Sequence, residues 1–141
     1  IWNSSWGSNA CFESHATQPR ATLFDKCSGG LVRYHAGGAA DEAPNHLSDL
    51  TLWNLNVTGT TDEKKQDFAN GFTWWGNSDL WWKIYPPVVV GMHGQPVTFS
   101  QEGQQLTYEE STGTRVTPES LYEAQMEKRL GAIPAWLEAL K

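Results

Sequence analysis

The stretch Asn45-His46-Leu47-Ser48-Asp49-Leu50-Thr51-Leu52-Trp53-Asn54-Leu55-Asn56-Val57-Thr58-Gly59 carries two short apolar alternations that fall out of step with each other. Leu50 and Leu52 share one face of an extended chain and Leu55 and Val57 share another, so both pairs stay inside only if the chain bends at Trp53-Asn54. Asn is one of the few residues that accepts the left-handed conformation such a bend needs. A hairpin would spend more residues, and a Gly, on reversing direction. The stretch therefore reads as a corner in a coil.

Outward from this corner, the first 61 residues repeat short strand and turn. Candidate strands are 10–14, 21–26 and 31–35, punctuated by Pro19, Gly29-Gly30, Gly37-Gly38 and Pro44, with no helical period among them. Strands at this density without intervening helices form a sandwich, a barrel or a solenoid. That no dipeptide such as Asn-Gly joins these adjacent strands, the odd-numbered bends and the spacing of Cys11 and Cys27 favour a solenoid of stacked coils, with an antiparallel β-sandwich as the alternative. Residues 62–116 read as late coils with aromatic-rich loops, including a strand near Val88 to Met92 and edge strands at 96–99 and 105–108. Over 117–141 the pattern turns helical. Thr117 can cap, Pro118 suits the first helical position and Gly131 a stop, while Tyr122, Met126 and Leu130 form a stripe and Pro134 opens a second short helix. These helices are expected to pack on the solenoid as a terminal tie.

Composition narrows the function. The 141 residues include 10 basic and 16 acidic side chains, a net charge of −6 without a basic stripe, which argues against nucleic-acid binding. No apolar run approaches the roughly 20 residues of a membrane span. The chain opens with Ile1 and has neither a basic n-region nor an apolar h-region, so a removed leader or preceding residues are expected. Cys11 and Cys27 are either a disulfide, closing a loop worth roughly 3 kcal/mol in an oxidising compartment, or two buried thiols on adjacent layers.

The segments Phe12-Glu13-Ser14-His15, Gln18-Pro19-Arg20, Leu23-Phe24-Asp25, Asp49-Leu50-Thr51-Leu52-Trp53-Asn54 and Ser120-Leu121-Tyr122-Glu123-Ala124-Gln125 resemble the C-terminal portion of right-handed parallel β-helix proteins of the pectate-lyase-like superfamily. More narrowly they are similar to secreted bacterial polysaccharide-degradation proteins whose terminal region is a domain of unknown function. The resemblance implies an all-β, right-handed parallel β-helix with a C-terminal helical cap, an extracytoplasmic location and a polysaccharide partner. It also implies polysaccharide lyase or glycoside hydrolase chemistry in a groove along one sheet, and continuation from preceding coils in the same or another chain. Lyases of this kind use Lys, Arg or His as base, sometimes with Ca²⁺ neutralising a uronate, whereas hydrolases use paired carboxylates.

Candidate catalytic residues are the polar side chains of the early strands. If those strands neighbour one another, Glu13, His15, Arg33 and His35 converge on a surface strip. A lyase would take a sugar C5 proton with His15 or His35 and neutralise the acid group with Arg20 or Arg33. A hydrolase would draw on Glu13 and Asp25. The plain alternative is a hydrogen-bonded outer sheet face, and the alternative for the chain as a whole is a non-catalytic carbohydrate-binding or structural assembly module. Two Trp pairs, Trp74-Trp75 and Trp81-Trp82, are candidate sugar platforms, since adjacent side chains on extended backbone point oppositely and Asn77 or Asp79 can bond hydroxyls; the alternative is that they pack a loop onto the solenoid. The oxygen-rich loop Asp41, Glu42, Asn45, His46, Asp49 is a conceivable Ca²⁺ holder that fits no calcium-loop spacing. No cofactor is otherwise expected.

Overall fold

The computed structural model describes residues 1–15, 17–32, 36–37, 40–60, 71–74 and 84–141. Among the described residues nine short strands precede two α-helices: β1 (Ser14–His15), β2 (Leu23–Asp25), β3 (Ser28–Gly30), β4 (Ala36–Gly37), β5 (Thr51–Trp53), β6 (Asn56–Gly59), β7 (Val88–Val90), β8 (His93–Gly94), β9 (Tyr108–Glu110), α1 (Leu121–Leu130) and α2 (Ala135–Glu138). One sheet has the order β2-β5-β7-β9, a second β3-β6-β8 and a third β1-β4. Every pairing among the described residues is parallel. Parallel neighbours cannot be joined by tight reversals, so the antiparallel sandwich alternative is corrected.

The registers explain how the core forms. Phe24, Leu52 and Val89 stand in register on β2, β5 and β7, and all three are buried. In the second sheet Val57 is buried beside Leu55. Each sheet thus hides one face, and the two apolar sets meet in a shared core completed by Leu50, Phe72, Met92 and Phe99. Leu50, Leu52, Leu55 and Val57 are all within 1% of complete burial, as the out-of-step alternation requires.

Between the first and second sheets the chain turns at one residue per passage. Asn3, Lys26, Asn54, Gly91 and Ser111 have φ of 47°, 54°, 50°, 68° and 55°. They form a column at the same register position, for each backbone N–H bonds the residue before the next corner: Asn3 to the Asp25 carbonyl, Lys26 to Trp53, Asn54 to Val90 and Gly91 to Glu110, at 2.8–3.0 Å. A left-handed residue is costly for most side chains. Here the backbone ladder on either side makes it obligatory, and Asn and Gly are the low-cost solutions.

The glycines at 29 and 30 were expected to be punctuation and instead lie inside β3. A Cβ on Gly29 would stand 2.2 Å from the Trp6 indole nitrogen, and one on Gly30 2.3 Å from the carbonyl oxygens of Ser8 and Ala10. The bare backbone is required because Trp6 and the Ser8–Ala10 segment lie directly on the strand, Trp6 donating to the Gly30 carbonyl. Conversely, Leu31 and Val32 are buried without belonging to a strand. The early strand is β1 at Ser14–His15 rather than 10–14, and of the expected strand at 96–99 only a bridge between Phe99 and Phe72 is present.

At the C-terminal end α1 starts at Leu121 with Ser120 as its cap, three residues later than Thr117 was expected to cap it. The cause is tertiary, since residues 115–119 are held against the corner column by Trp53, Asn54 and Lys26. Gly131 closes the helix as expected, at φ 80°, its N–H bonding the Glu127 carbonyl. The stripe Tyr122, Met126, Leu130 is only partly used: Tyr122 meets Trp2 with ring centroids 6.4 Å apart, whereas Leu130 is exposed. In α2, Leu137 is the buried anchor.

Candidate functional site

Of the residues expected to carry chemistry, Asp25 is placed most clearly. It ends β2, is 0% exposed, and accepts from the Ser120 hydroxyl (2.5 Å), the Leu121 N–H (3.0 Å) and the Tyr122 N–H (2.9 Å). The two N–H groups are orphan donors of the first turn of α1, where the helix dipole also favours an anion. The Ser120 hydroxyl in turn accepts from the Glu123 N–H. A carboxylate consumed in this way cannot reach a polysaccharide, so Asp25 is corrected from catalytic candidate to helix anchor.

The same flank runs on through Asn54, also buried. Its amide nitrogen donates to the carbonyls of Val116 and Glu119 (2.9 Å each), and its side-chain oxygen accepts from the Val116 N–H (2.8 Å). Trp53 donates to the Pro118 carbonyl, Lys26 pairs with Glu119 at 3.1 Å, and Arg115 donates to His93, whose other ring nitrogen faces the Gly91 carbonyl. Residues 115–123 therefore form a strap that runs back across the passages from β8 to Trp2, where Glu123 accepts from the Trp2 indole and pairs with Lys141. Burial raises the Glu123 pKa, but the Lys141 ammonium and the Trp2 indole hold it below the usual carboxylate value.

Trp74 is buried among Phe12, Phe72 and Phe99, so of the two alternatives it takes the packing role, and its candidacy as a sugar platform is corrected. Trp75, Asn77, Asp79, Trp81, Trp82, Arg33 and His35 lie outside the described residues. The backbone of His15 pairs with Gly37, and that of Arg20 bridges Ser48. Glu13 and Arg20 are exposed. The neighbouring strand of β1 is β4, while β2, which carries Asp25, belongs to a different sheet. Both cysteines are free thiols. Burial pushes the Cys11 thiol up to about 12 and also raises that of Cys27, which leaves both protonated and poorly nucleophilic at neutral pH. Among the described residues no group of three or more His, Cys, Asp or Glu side chains could hold a metal ion. In the oxygen-rich loop Asn45 and His46 are buried while Asp41 and Glu42 face solvent.

A polar cleft that sequence reasoning missed lies beside the last strand of the first sheet. It encloses about 420 Å³ between the turn at 100–105 and β9. Phe99 closes its apolar side, and buried Gln105 is fixed by accepting from the Trp74 N–H (2.8 Å) and donating to the Glu102 carbonyl (2.9 Å). With its back wall rigid, the turn presents Gln101 and Gln104 to solvent, the latter at φ 48°. Tyr108, half exposed, and Glu109 complete the cleft. The Tyr108 hydroxyl donates to Glu110 at 2.5 Å, a bond that raises its pKa and keeps it a phenol, and Thr112 donates to Glu109. Free carboxamides, a carboxylate and an aromatic face are the groups that recognise vicinal hydroxyls and the C–H face of a sugar. The only signal in the sequence was the run of Gln beside a polar strand end.

Mostly short strands in parallel sheets, with two short helices, define the class of this protein. A family model described as a domain of unknown function, DUF4955, matches residues 1–140, and the chain belongs to that family. No curated protein and no solved structure matches it.

Proposed function

We propose that this chain is the terminal part of a right-handed parallel β-helix in a secreted polysaccharide-active protein, and that it contributes glycan binding through the cleft beside β9. The winding is supported by the order in which the chain visits its sheets: β2, β3 and β4 in one passage, β5 and β6 in the next, β7 and β8 after that, always parallel, with one register shift at Gly29/Gly30. Preceding coils, in the same or another chain, would extend the glycan path. The resemblance to pectate-lyase-like proteins supplies the substrate class.

The observation that carries the binding role is the exposed Tyr108 ring beside the free amides of Gln101 and Gln104, on a wall fixed by Gln105. Binding is favoured over cleavage because Asp25, one of the two carboxylates a hydrolase would draw on, serves the helix. The Glu109 carboxylate and the net charge of −6 favour a neutral glycan over a uronate, since like charges repel at close range. Isothermal titration against neutral and uronate-containing polysaccharides tests this. Neutral glycans should bind, and Tyr108→Ala should weaken them by about tenfold or more, roughly 1.4 kcal/mol, without altering the melting temperature. No binding of either class, or binding unchanged in Tyr108→Ala, would remove the proposal.

A further inference from the structure

Given the glycan reading of the cleft beside β9, on which this rests, we propose that the cleft selects sugar hydroxyls that donate a hydrogen bond, so that it binds an unsubstituted glycan and rejects its O-methyl ethers, and that Glu110, which lies outside the cleft lining, sets this polarity. Successive side chains of a strand alternate between its two faces, so Tyr108 and Glu110 share one face of β9. The Tyr108 hydroxyl stands 2.5 Å from Glu110 Oε2. An ionised carboxylate only accepts, so the phenol commits its single proton to Glu110 and keeps a lone pair for anything else it meets. The same bond raises the Tyr108 pKa, which keeps the proton in place. Glu110 is thus a positioning residue: it acts on a ligand through the hydroxyl it orients.

A second pair repeats the arrangement. Thr112 Oγ1 lies 2.5 Å from Glu109 Oε1, so the threonine proton is also committed and Glu109 Oε2 is left to accept. Tyr108, Glu109, Glu110 and Thr112 are all exposed, and among the described residues no lysine or arginine lines the cleft or pairs with either carboxylate. On the opposite wall the donors nearest the turn are already used, the Glu102 N–H by the Ser100 hydroxyl (3.2 Å) and the Gln105 amide by the Glu102 carbonyl (2.9 Å). Gln101 and Gln104 carry a donor and an acceptor each. The β9 side of the cleft is therefore an acceptor surface. A sugar hydroxyl against the Tyr108 oxygen donates to it, whereas an ether oxygen in the same place sets lone pair against lone pair and leaves both without a partner. A site built to bond a hydroxyl rejects the analogue that lacks its proton, because the site's own polar groups are then stranded.

The test is isothermal titration of a neutral oligosaccharide and of its O-methylated form against wild type, Glu110→Gln and Tyr108→Phe. Wild type should bind the unmodified glycan about tenfold or more tightly than the ether. Glu110→Gln keeps the size of the side chain but supplies an N–H, which the Tyr108 hydroxyl accepts while turning its own proton to the ligand, so the preference should fall to about threefold or less. Tyr108→Phe keeps the ring and removes the hydroxyl, and should lower the preference by weakening the unmodified glycan. In ultraviolet titration one tyrosine should ionise at lower pH in Glu110→Gln than in wild type, since the carboxylate that raises the Tyr108 pKa is gone. Equal binding of the two glycans by wild type, a preference undiminished in Glu110→Gln, which would mark plain steric exclusion of the methyl group, or an unchanged tyrosine ionisation would each overturn the polarity while the glycan cleft stands. Binding of neither glycan would overturn the cleft and the polarity with it.

Discussion

The corner flank around Asn54 and the end of the sheet at β9 are built from the same kinds of side chain and put them to opposite uses. At the flank a carboxylate and a carboxamide, Asp25 and Asn54, are buried and fully bonded to the strap. At β9 the carboxylate Glu109 and the carboxamides of Gln101 and Gln104 face water. What separates a fastening from an open polar surface here is whether a later segment of chain lies on top. The strap covers the corners up to β8, and nothing among the described residues covers the face of β9. Polar groups under cover must be paired, and removing one partner strands the others at full desolvation cost; polar groups at the open end remain available to a ligand.

This contrast is sharpest at Asp25. Asp25→Ala would leave the Ser120 O–H and the partly buried Leu121 and Tyr122 N–H groups without their acceptor, and the expected loss is about 3–5 kcal/mol in urea denaturation. A loss under about 1 kcal/mol would mean that water replaces the carboxylate and that the flank is no more closed than the β9 end. Asn54→Ala comes next, at about 2–3 kcal/mol, since it removes three short hydrogen bonds and places Ala in the left-handed region. Asn54→Gly keeps the turn and should recover part of that loss, which separates the backbone contribution from the strap contribution.

A smaller effect is expected from acid. His46 is buried, with Nε2 2.9 Å from the Thr22 hydroxyl and Nδ1 unpartnered among the described residues. Burial lowers its pKa below 6.5, partly opposed by Asp49. The folded state therefore disfavours the proton that the unfolded chain accepts, so stability is full above about pH 6.5 and declines as pH falls through that value, until the folded pKa is passed. Comparing urea midpoints at pH 7.5 and 5 for wild type and His46→Gln isolates this term, and the variant should lose less. Equal losses would show that His46 is solvated as readily as the polar groups of β9.

The corner at Asn54 was legible because its signal is local: two alternations of period two that do not match in phase force a bend, whatever surrounds them. The Gly131 helix stop was legible for the same reason. Gly29-Gly30 misled because glycine marks a turn far more often than a close approach, and only the position of Trp6 shows which applies. Asp25 misled because a carboxylate on a strand looks alike whether solvent or a helix N-terminus awaits it. The start of α1 shifted from Thr117 to Ser120 because distant residues Trp53 and Asn54 bond the intervening chain in a non-helical path. The cleft beside β9 left little trace, as Gln, Tyr and Glu are ordinary surface residues until one Gln is pinned and the others converge.

By itself the sequence determined the strands around 21–26 and 88–92, the left-handed corner, the inward aliphatic set and the helical C-terminus, because each follows from side-chain periodicity and backbone preference within a few residues. Only the tertiary structure decided which polar side chains became fastenings and which remained free. That choice depends on what the strap covers, and hydrogen bonds such as the one between Asp25 and Ser120 join residues too far apart in the chain for any local pattern to record them.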